Sequence, residues 1–320
     1  MELIFFGTSS GTPTKTRNVS GVAVKKVNSK LWCLIDCGEG TQHQILRTKL
    51  ALNKLQMILI THIHGDHCYG LPGLLASATM SDRTEPLTIV GPSQIKEFIE
   101  VTQTATQLRL SYAINFICIE DSLGVITGSE FNINVVELSH RVPSYAFVFS
   151  EKDISSRLDI AKLNNDGIES GPNWGKIQKG LDVTLADGRL ICASDYLLSA
   201  REPRKIVVSG DNDTPDLLSE TAGSVDVLVH EATYTEDVAE KVGKGPQHST
   251  AKMVCKFAEG AGIKNLVLTH FSPRYQEEND GGPCIADVEC EARKNYSGNL
   301  FLARDLDRYQ LNKEGRLTLL

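Results

Sequence analysis

Residues Met57-Ile58-Leu59-Ile60-Thr61-His62-Ile63-His64-Gly65-Asp66-His67 constrain this chain more than any other stretch, because an apolar strand runs straight into three histidines and an aspartate. A buried strand accounts for Met57 to Ile60. A packed core has no use for so many polar side chains, so the residues after Ile60 must emerge at the mouth of a sheet. Imidazole and carboxylate are the ligands that suit zinc in an open, catalytic coordination sphere. The plainer alternative is a histidine-rich loop that traps an ion incidentally. Histidine is scarce here, however: the chain has 8 in 320 residues, and three of them fall in this hexamer.

Three further apolar runs end the same way. Ile133 to Ser139 leads to His140, Lys205 to Gly210 leads to Asp211, and Asn265 to Thr269 leads to His270. Each delivers one candidate ligand at a strand end, which fits a scaffold whose rigid strands carry a site along one edge. Seven candidate ligands suggest two metals. Taken singly, His140 or His270 could be a hydrogen-bonded, partly buried histidine, and Asp211 in Ser-Gly-Asp-Asn-Asp could be a turn residue. Taken with the hexamer, the set reads as a coordination site.

Composition sets the surrounding limits. Hydrophobic residues at 41% and charged residues at 23% describe an ordinary globular protein large enough for one big domain or two smaller ones. No apolar run approaches the roughly 20 residues of a membrane span. The amino terminus, Met1-Glu2-Leu3-Ile4-Phe5-Phe6-Gly7, lacks a basic region and reads as a first strand, so a cytoplasmic location is expected. The eight cysteines form no CxxC pair, and most lie in apolar runs and read as small reduced core residues; Cys68, directly after His67, reads as a packing residue or a support to the ligands, not a ligand itself. The net charge of −7 argues against a generally basic coat for nucleic acid but leaves room for a local patch. Lys15, Arg17, Arg141, Arg201, Arg204 and Arg274 neighbour the proposed site segments, with a solvated surface charge the alternative for Arg201 and Arg204.

Along the chain, strand-like runs at Glu2 to Phe6, Gly21 to Lys26, Leu31 to Asp36, Met57 to Thr61, Leu87 to Val90, Asn115 to Ile119, Asn132 to Leu138, Tyr145 to Ser150, Lys205 to Ser209, Val225 to His230 and Asn265 to Thr269 alternate with helical patterns. The helical stretches are Gly40 to Arg47, Gly70 to Ser81, Pro92 to Thr104 and His248 to Gly260. The fold class is therefore α/β. From Glu151 to about Ala200 the chain turns polar and turn-rich, too long for a plain connection. A disordered insertion without a role is the alternative there.

The segment His62-Ile63-His64-Gly65-Asp66-His67 resembles the HxHxDH signature of the metallo-β-lactamase superfamily. Four more matches resemble the ribonuclease Z family within it: Pro13-Thr14-Lys15-Thr16-Arg17-Asn18 (PxKxRN), His230-Glu231-Ala232-Thr233 (HEAT), His248-Ser249-Thr250 (HST) and Phe271-Ser272-Pro273-Arg274-Tyr275 (FSxRY). This resemblance runs across nearly the whole chain. It implies an αββα sandwich, one metallo-β-lactamase domain over residues 1–320, with a protruding, flexible tRNA-binding arm inserted at 151–200 and its glycine-proline motif at Gly171-Pro172.

The resemblance further implies two Zn2+ per subunit, one held by His62, His64 and His140, the other by Asp66, His67 and His270, with Asp211 bridging. Asp66 would also accept a proton, His248 would protonate the departing 3′ oxygen, and Glu231 would steer His248. Lys15, Arg17, Asn18 and Arg274 would join Gly171 and Pro172 in holding precursor tRNA, and the enzyme would be a homodimer in which one subunit's arm serves the other's active site. The implied reaction is removal of the 3′ trailer from precursor tRNA. Asp211 at the bridging position disfavours a β-lactamase, whose comparable residue is cysteine, and His64 in place of an acid disfavours a flavodiiron enzyme. Glyoxalase II shares the ligands but has no need of the PxKxRN-like loop or the arm. A small-molecule phosphodiesterase is the alternative, and a catalytically silent RNA-binding subunit a more remote one.

Overall fold

In the first strand, Glu2–Gly7 (β1), every residue is buried, and the side chains divide by alternation. Leu3 and Phe5 enter one apolar cluster, Ile4 and Phe6 another. A strand covered on both faces must read as a continuous apolar run, because neither face meets water. The same division recurs in the second half, where Val227 and Val229 join the cluster of Leu3 and Phe5 while Leu228 turns away from it. The cluster shared by the two halves is the seam between two stacked sheets.

The computed structural model describes residues 1–121, 124–154, 156–277 and 281–320. After β1 come Gly21–Lys25 (β2), Trp32–Ile35 (β3), Leu55–Leu59 (β4), Leu87–Gly91 (β5) and Ile114–Cys118 (β6). The second sheet uses Ile126–Thr127 (β7), Phe131–Leu138 (β8), Ser144–Glu151 (β9), Lys205–Ser209 (β10), Val227–Glu231 (β11), Asn265–Thr269 (β12) and Asn299–Leu302 (β13). The chain then returns to the first sheet with Arg308–Leu311 (β14) and Leu317–Leu319 (β15). The strand orders are β15-β14-β1-β2-β3-β4-β5-β6 and β13-β12-β11-β10-β9-β8-β7. Helices Leu71–Met80 and Ser93–Thr106 cover the outer face of the first sheet, and Ala251–Gly260 and Ile285–Asn295 that of the second, giving four layers, αββα.

The expected strands are present with ends shifted by a residue or two. The strand expected to end at Thr61 stops instead at Leu59, and helix Ala251–Gly260 starts three residues after His248, with Thr250 as its cap. Strands β7 and β13 to β15 and helix Ile285–Asn295 are additions to the elements expected from the apolar pattern. Arg308-Tyr309-Gln310-Leu311 is short and half polar, and it becomes a strand because β1 offers a partner edge.

Residues 151–203 form a separate compact unit. It has a small core of its own, built on Leu163, Ile168, Ile177, Val183, Ile191 and Tyr196. Helix Ile160–Asn165 begins at Asp159, whose carboxylate accepts from the Lys162 amide at 3.0 Å, and Pro172 opens helix Pro172–Gln178. Arg157–Leu158 pairs with Leu197–Leu198, and Val183–Thr184 with Leu190–Ile191. The stretch that reads as turn-rich is thus a folded unit, polar because so few residues need few core side chains. Ser150 of β9 lies opposite Lys205 of β10 in antiparallel register, so the chain departs and re-enters at adjacent positions of one sheet.

One buried polar residue ties the sheets together at the end where β12 begins. Asn265 Nδ2 donates to Asp226 O (2.6 Å) and Gly315 O (2.9 Å), while Oδ1 accepts from Leu317 N (3.0 Å) and Asn299 Nδ2 (2.9 Å). Gly315 and Leu317 belong to the hairpin of the first sheet, Asp226 and Asn299 to the edge of the second. Asn265→Ala should lower stability by about 2–3 kcal/mol, because several partly buried partners lose their bonds together. Urea denaturation checks this, and an unchanged midpoint would remove Asn265 as a clamp.

Candidate metal centre

Four strand ends converge on one edge of the sandwich. The turn after β4 carries His62, His64, Asp66 and His67, β8 leads to His140, β10 to Asp211, and β12 to His270. Gly210 is required before Asp211 because a Cβ there would stand 2.7 Å from Thr61 Cβ and 2.8 Å from Tyr145 O. His62, His67, Asp211 and His270 are buried, and His64, Asp66 and His140 partly exposed, so the cluster has a closed floor and an open side.

The ligand atoms fall into two sets around Asp211. His64 Nδ1 lies 3.1 Å from both His62 Nε2 and His140 Nε2, and Asp211 Oδ2 is 3.6 and 3.7 Å from those two nitrogens. In the other set, His67 Nε2 and His270 Nε2 are 3.2 Å apart, Asp66 Oδ2 stands 3.5 and 3.3 Å from them, and Asp211 Oδ1 3.4 Å from each. Asp211 therefore turns one oxygen to each set. A tetrahedral shell with bonds of about 2.0–2.1 Å has edges of about 3.3 Å, which these separations match, so the donor set fits two cations of zinc type.

The electrostatics fit as well. Burial, reinforced by neighbouring rings, holds His62 well below its ordinary pKa; burial and His140 bring His64 down to about 4; and burial lowers His140. Those rings are neutral and present free lone pairs. Burial alone would raise Asp66, but His67 and His270 hold its carboxyl far below the usual range. Burial would also lower His67, yet Asp211, Asp36 and Asp66 push it well up. The carboxylates thus favour positive charge between them, which a divalent cation supplies.

The groups that orient the ligands mostly carry no signal of their own in the sequence. Asp36 Oδ2 stands 2.7 Å from His67 Nδ1, and Asp36 Oδ1 accepts from the Thr61 amide (2.8 Å) and hydroxyl (3.0 Å). Thr61 Oγ1 also meets His62 Nδ1 at 3.0 Å, Thr233 Oγ1 meets His270 Nδ1 at 3.0 Å, and His140 Nδ1 donates to Gln247 O at 2.8 Å. Such partners fix ring orientation and tautomer. Asp36 and His270 have φ of 57° and 59°, left-handed conformations that non-glycine residues adopt where surrounding contacts compel them. The one clue to Asp36 is its place at the end of β3, one strand over from the hexamer.

His248 lies beside both sets, its ring 5.1 Å from that of His140 and 5.5 Å from that of His270, its Nδ1 2.9 Å from Glu231 Oε1 and 3.7 Å from Asp211 Oδ2. Glu231 is fully occupied, accepting also from the Asn212 amide at 2.8 Å and from the Thr233 hydroxyl. Burial alone would lower His248, but the Glu231 carboxylate outweighs it and pushes the ring up to about 9. Glu231 itself is held low by His248 in spite of its burial.

The remaining candidates divide. Lys15 and Arg274 are exposed or partly so, and the Arg274 guanidinium lies 5.8 Å over the Tyr234 ring, which is 6.0 Å from the His248 ring. Asn18, half-buried, donates its amide to Asp305 Oδ2 at 2.6 Å. Arg17 departs from the expectation of a solvent-facing cation. It is buried, donates to Thr8 Oγ1 (2.8 Å) and Ala303 O (3.0 Å), and pairs with Glu277 at 2.8 Å. These contacts tie the loop to Thr8, Ala303 and Glu277. Tyr275 likewise turns inward, accepting from the Thr235 amide at 2.7 Å. Gly171 and Pro172 are exposed residues of the inserted unit.

Comparison with known proteins follows the same lines. Residues 1–167 match the family described as Anti-Pycsar protein Apyc1, a span that includes the hexamer and His140 but ends before Asp211, Glu231, His248 and His270. The ribonuclease Z of Marinobacter nauticus is 51% identical over 317 residues, 99% of this chain and 98% of that protein. The ribonuclease Z of Latilactobacillus sakei is 37% identical over 318 residues, 99% of each. The crystal structure of the human tRNase Z short form is similar with a TM-score of 0.66 at 25% identity, covering 98% of this chain and 100% of that one.

Asp36→Asn separates orientation from coordination. An asparagine can keep the bond to the Thr61 amide but presents an NH2 group where His67 needs an acceptor. We expect a folded protein whose affinity for metal falls about 10–100-fold. Competition with a chromophoric chelator measures it, and wild-type affinity would deny Asp36 that role.

Proposed function

Because the chain belongs to the ribonuclease Z family, we propose that it removes the 3′ trailer from precursor tRNA by hydrolysing one phosphodiester at the His–Asp cluster, leaving a 3′-hydroxyl on the tRNA. It is a hydrolytic endoribonuclease of the metallo-β-lactamase superfamily, acting in tRNA 3′ processing. The observation that carries the mechanism is the pair of ligand sets on either side of Asp211, with the Glu231–His248 pair beside them.

In this reading His62, His64 and His140 would hold one Zn2+ and Asp66, His67 and His270 a second, with Asp211 as the ligand common to both. Two such cations supply a water acidic enough to attack at neutral pH and neutralise charge that develops on the phosphate. Asp66, partly open and held deprotonated, accepts a proton from the attacking water. His248 donates from Nε2 to the departing 3′ oxygen, because Glu231 holds Nδ1 and leaves the other nitrogen free to face substrate. Lys15, Asn18 and Arg274 hold RNA near the cut, with Arg17 fixing the loop that carries the first two. We further propose that the inserted unit, through Gly171 and Pro172, grips tRNA, and that the enzyme works as a cytoplasmic homodimer. Among the described residues, no helix is long and apolar enough to cross a membrane.

His248→Ala should leave metal content and RNA affinity near wild type while lowering the rate about 10²–10⁴-fold, the usual contribution of a positioned acid. Protonated His248 is the active form, so wild-type activity should fall as pH rises through its pKa. That alkaline limb lies at or below about pH 9, since cations nearby disfavour the imidazolium. It should vanish in the variant. An equal loss on an aryl phosphodiester, whose leaving group needs no proton, would show that His248 is not the donor.

The inserted unit tests the alternative of a small-molecule phosphodiesterase. Since Ser150 faces Lys205, residues 152–203 can be replaced by a short Gly-Asn-Gly turn without changing the register of β9 and β10. The variant should fold, keep its metal and hydrolyse bis(p-nitrophenyl) phosphate at a near-normal rate. It should lose most of its kcat/KM on precursor tRNA, because remote binding energy is available only to a substrate long enough to reach it. Undiminished tRNA cleavage would remove the unit from substrate binding.

A further inference from the structure

At the end of the first sheet away from the ligands, between β1, β2, β14 and the segment after helix Thr41–Leu46, lies a cleft of about 630 Å³. Lys25, Lys30, Arg47, Lys49, Lys54 and Arg308 line it, and Glu2 is the one acid among its described lining residues. Glu2 is buried and already engaged by Lys25 (3.3 Å) and Arg308 (2.9 Å), which holds those two cations in place and leaves the other four uncompensated at the rim. Lys30, Arg47, Lys49 and Lys54 are exposed. Five formal positive charges in excess, gathered on a chain of net charge −7, make a localised attraction for a polyanion that the metal centre does not explain.

The route from the catalytic edge to this cleft is short. Helix Thr41–Leu46 starts against the metal loop: a Cβ on Gly38 would lie 2.2 Å from Asp66 O, and one on Gly40 3.1 Å from Asn18 Oδ1. At about 1.5 Å per residue the helix covers about 9 Å before delivering Arg47 and Lys49 to the cleft. This inference rests on the tRNA-processing reading: the tRNA 3′ oxygen is the leaving group, so the trailer continues from the 5′ oxygen of the same phosphate, and the helix that begins beside the loop carrying Asp66 offers it a route to the cleft.

We propose that the cleft binds the phosphate backbone of the 3′ trailer, as a sequence-independent exosite downstream of the cut. At about 3.4 Å per nucleotide, a trailer must extend about three to five nucleotides past the scissile phosphate to enter it. Longer trailers reach these cations and shorter ones do not.

The test compares two precursors of the same tRNA, with trailers of two and twelve nucleotides, cleaved by wild type and by the variant K30A/K49A/K54A. Wild type should show a KM several-fold lower for the long trailer, with a steeper salt dependence. The variant should raise that KM to the short-trailer value and flatten the salt slope by about two, at roughly 0.7 for each phosphate of a single strand that is no longer neutralised. Its kcat, its short-trailer KM and its hydrolysis of bis(p-nitrophenyl) phosphate should stay at wild-type values, and lysine-to-arginine replacements should retain the length effect. Equal KM for both trailers in wild type, or a length effect that survives in the variant, overturns the exosite alone. Failure to cleave either precursor overturns the tRNA-processing reading and the exosite with it.

Discussion

Everything at the catalytic edge depends on a carboxylate with a divided allegiance. Asp211 is buried, its two oxygens face different imidazole sets, and neither set is complete without it. A charge so placed costs too much unless matched by opposite charge, and the nearest nitrogens either carry protons reluctantly or are pushed to hold them. The two sheets exist, in this sense, to bring ligands from β4, β8 and β12 within reach of the residue at the end of β10. The seam of Leu3, Phe5, Phe147, Val208 and Val229 sets the spacing of those strand ends, and the Asn265 clamp fixes the far end of the sandwich.

The clustered histidines and aspartates are legible in the sequence because they combine two signals, an apolar run long enough to be a strand and a side chain able to coordinate just beyond it. Their supports are not. Thr61 reads as an ordinary strand-end residue, Thr233 is part of a motif but without a stated task, Gln247 contributes a backbone carbonyl with no sequence signature, and Asp36 lies in a plain Asp-Cys-Gly turn. Arg17 shows the converse: a motif cation beside a turn suggests solvent, yet Glu277 and Ala303, distant in sequence, draw it inward. The late strands escape such a reading because their order depends on a partner edge more than on their own composition. Residues 151–203 mislead for a related reason, since a unit with so few core positions has the composition of a loop.

The basic cleft and the inserted unit also suggest how an acidic protein handles a polyanion. If both hold RNA as proposed, affinity would be placed on residues other than those of the His–Asp cluster, so that binding and chemistry could change independently.

One small contact joins functions that would otherwise be separate. The carbonyl accepting from His140 belongs to Gln247, the residue immediately before His248, at the end of a segment containing Gly243 and Gly245. The segment leading to His248 is therefore tied to an imidazole of the first set. If His140 holds a metal and His248 donates the proton, as proposed above, loading that ion would firm the donor Nδ1 and the hold on Gln247. The two proposed roles would then be interlocked, and a subunit without its metal would be disabled at both steps.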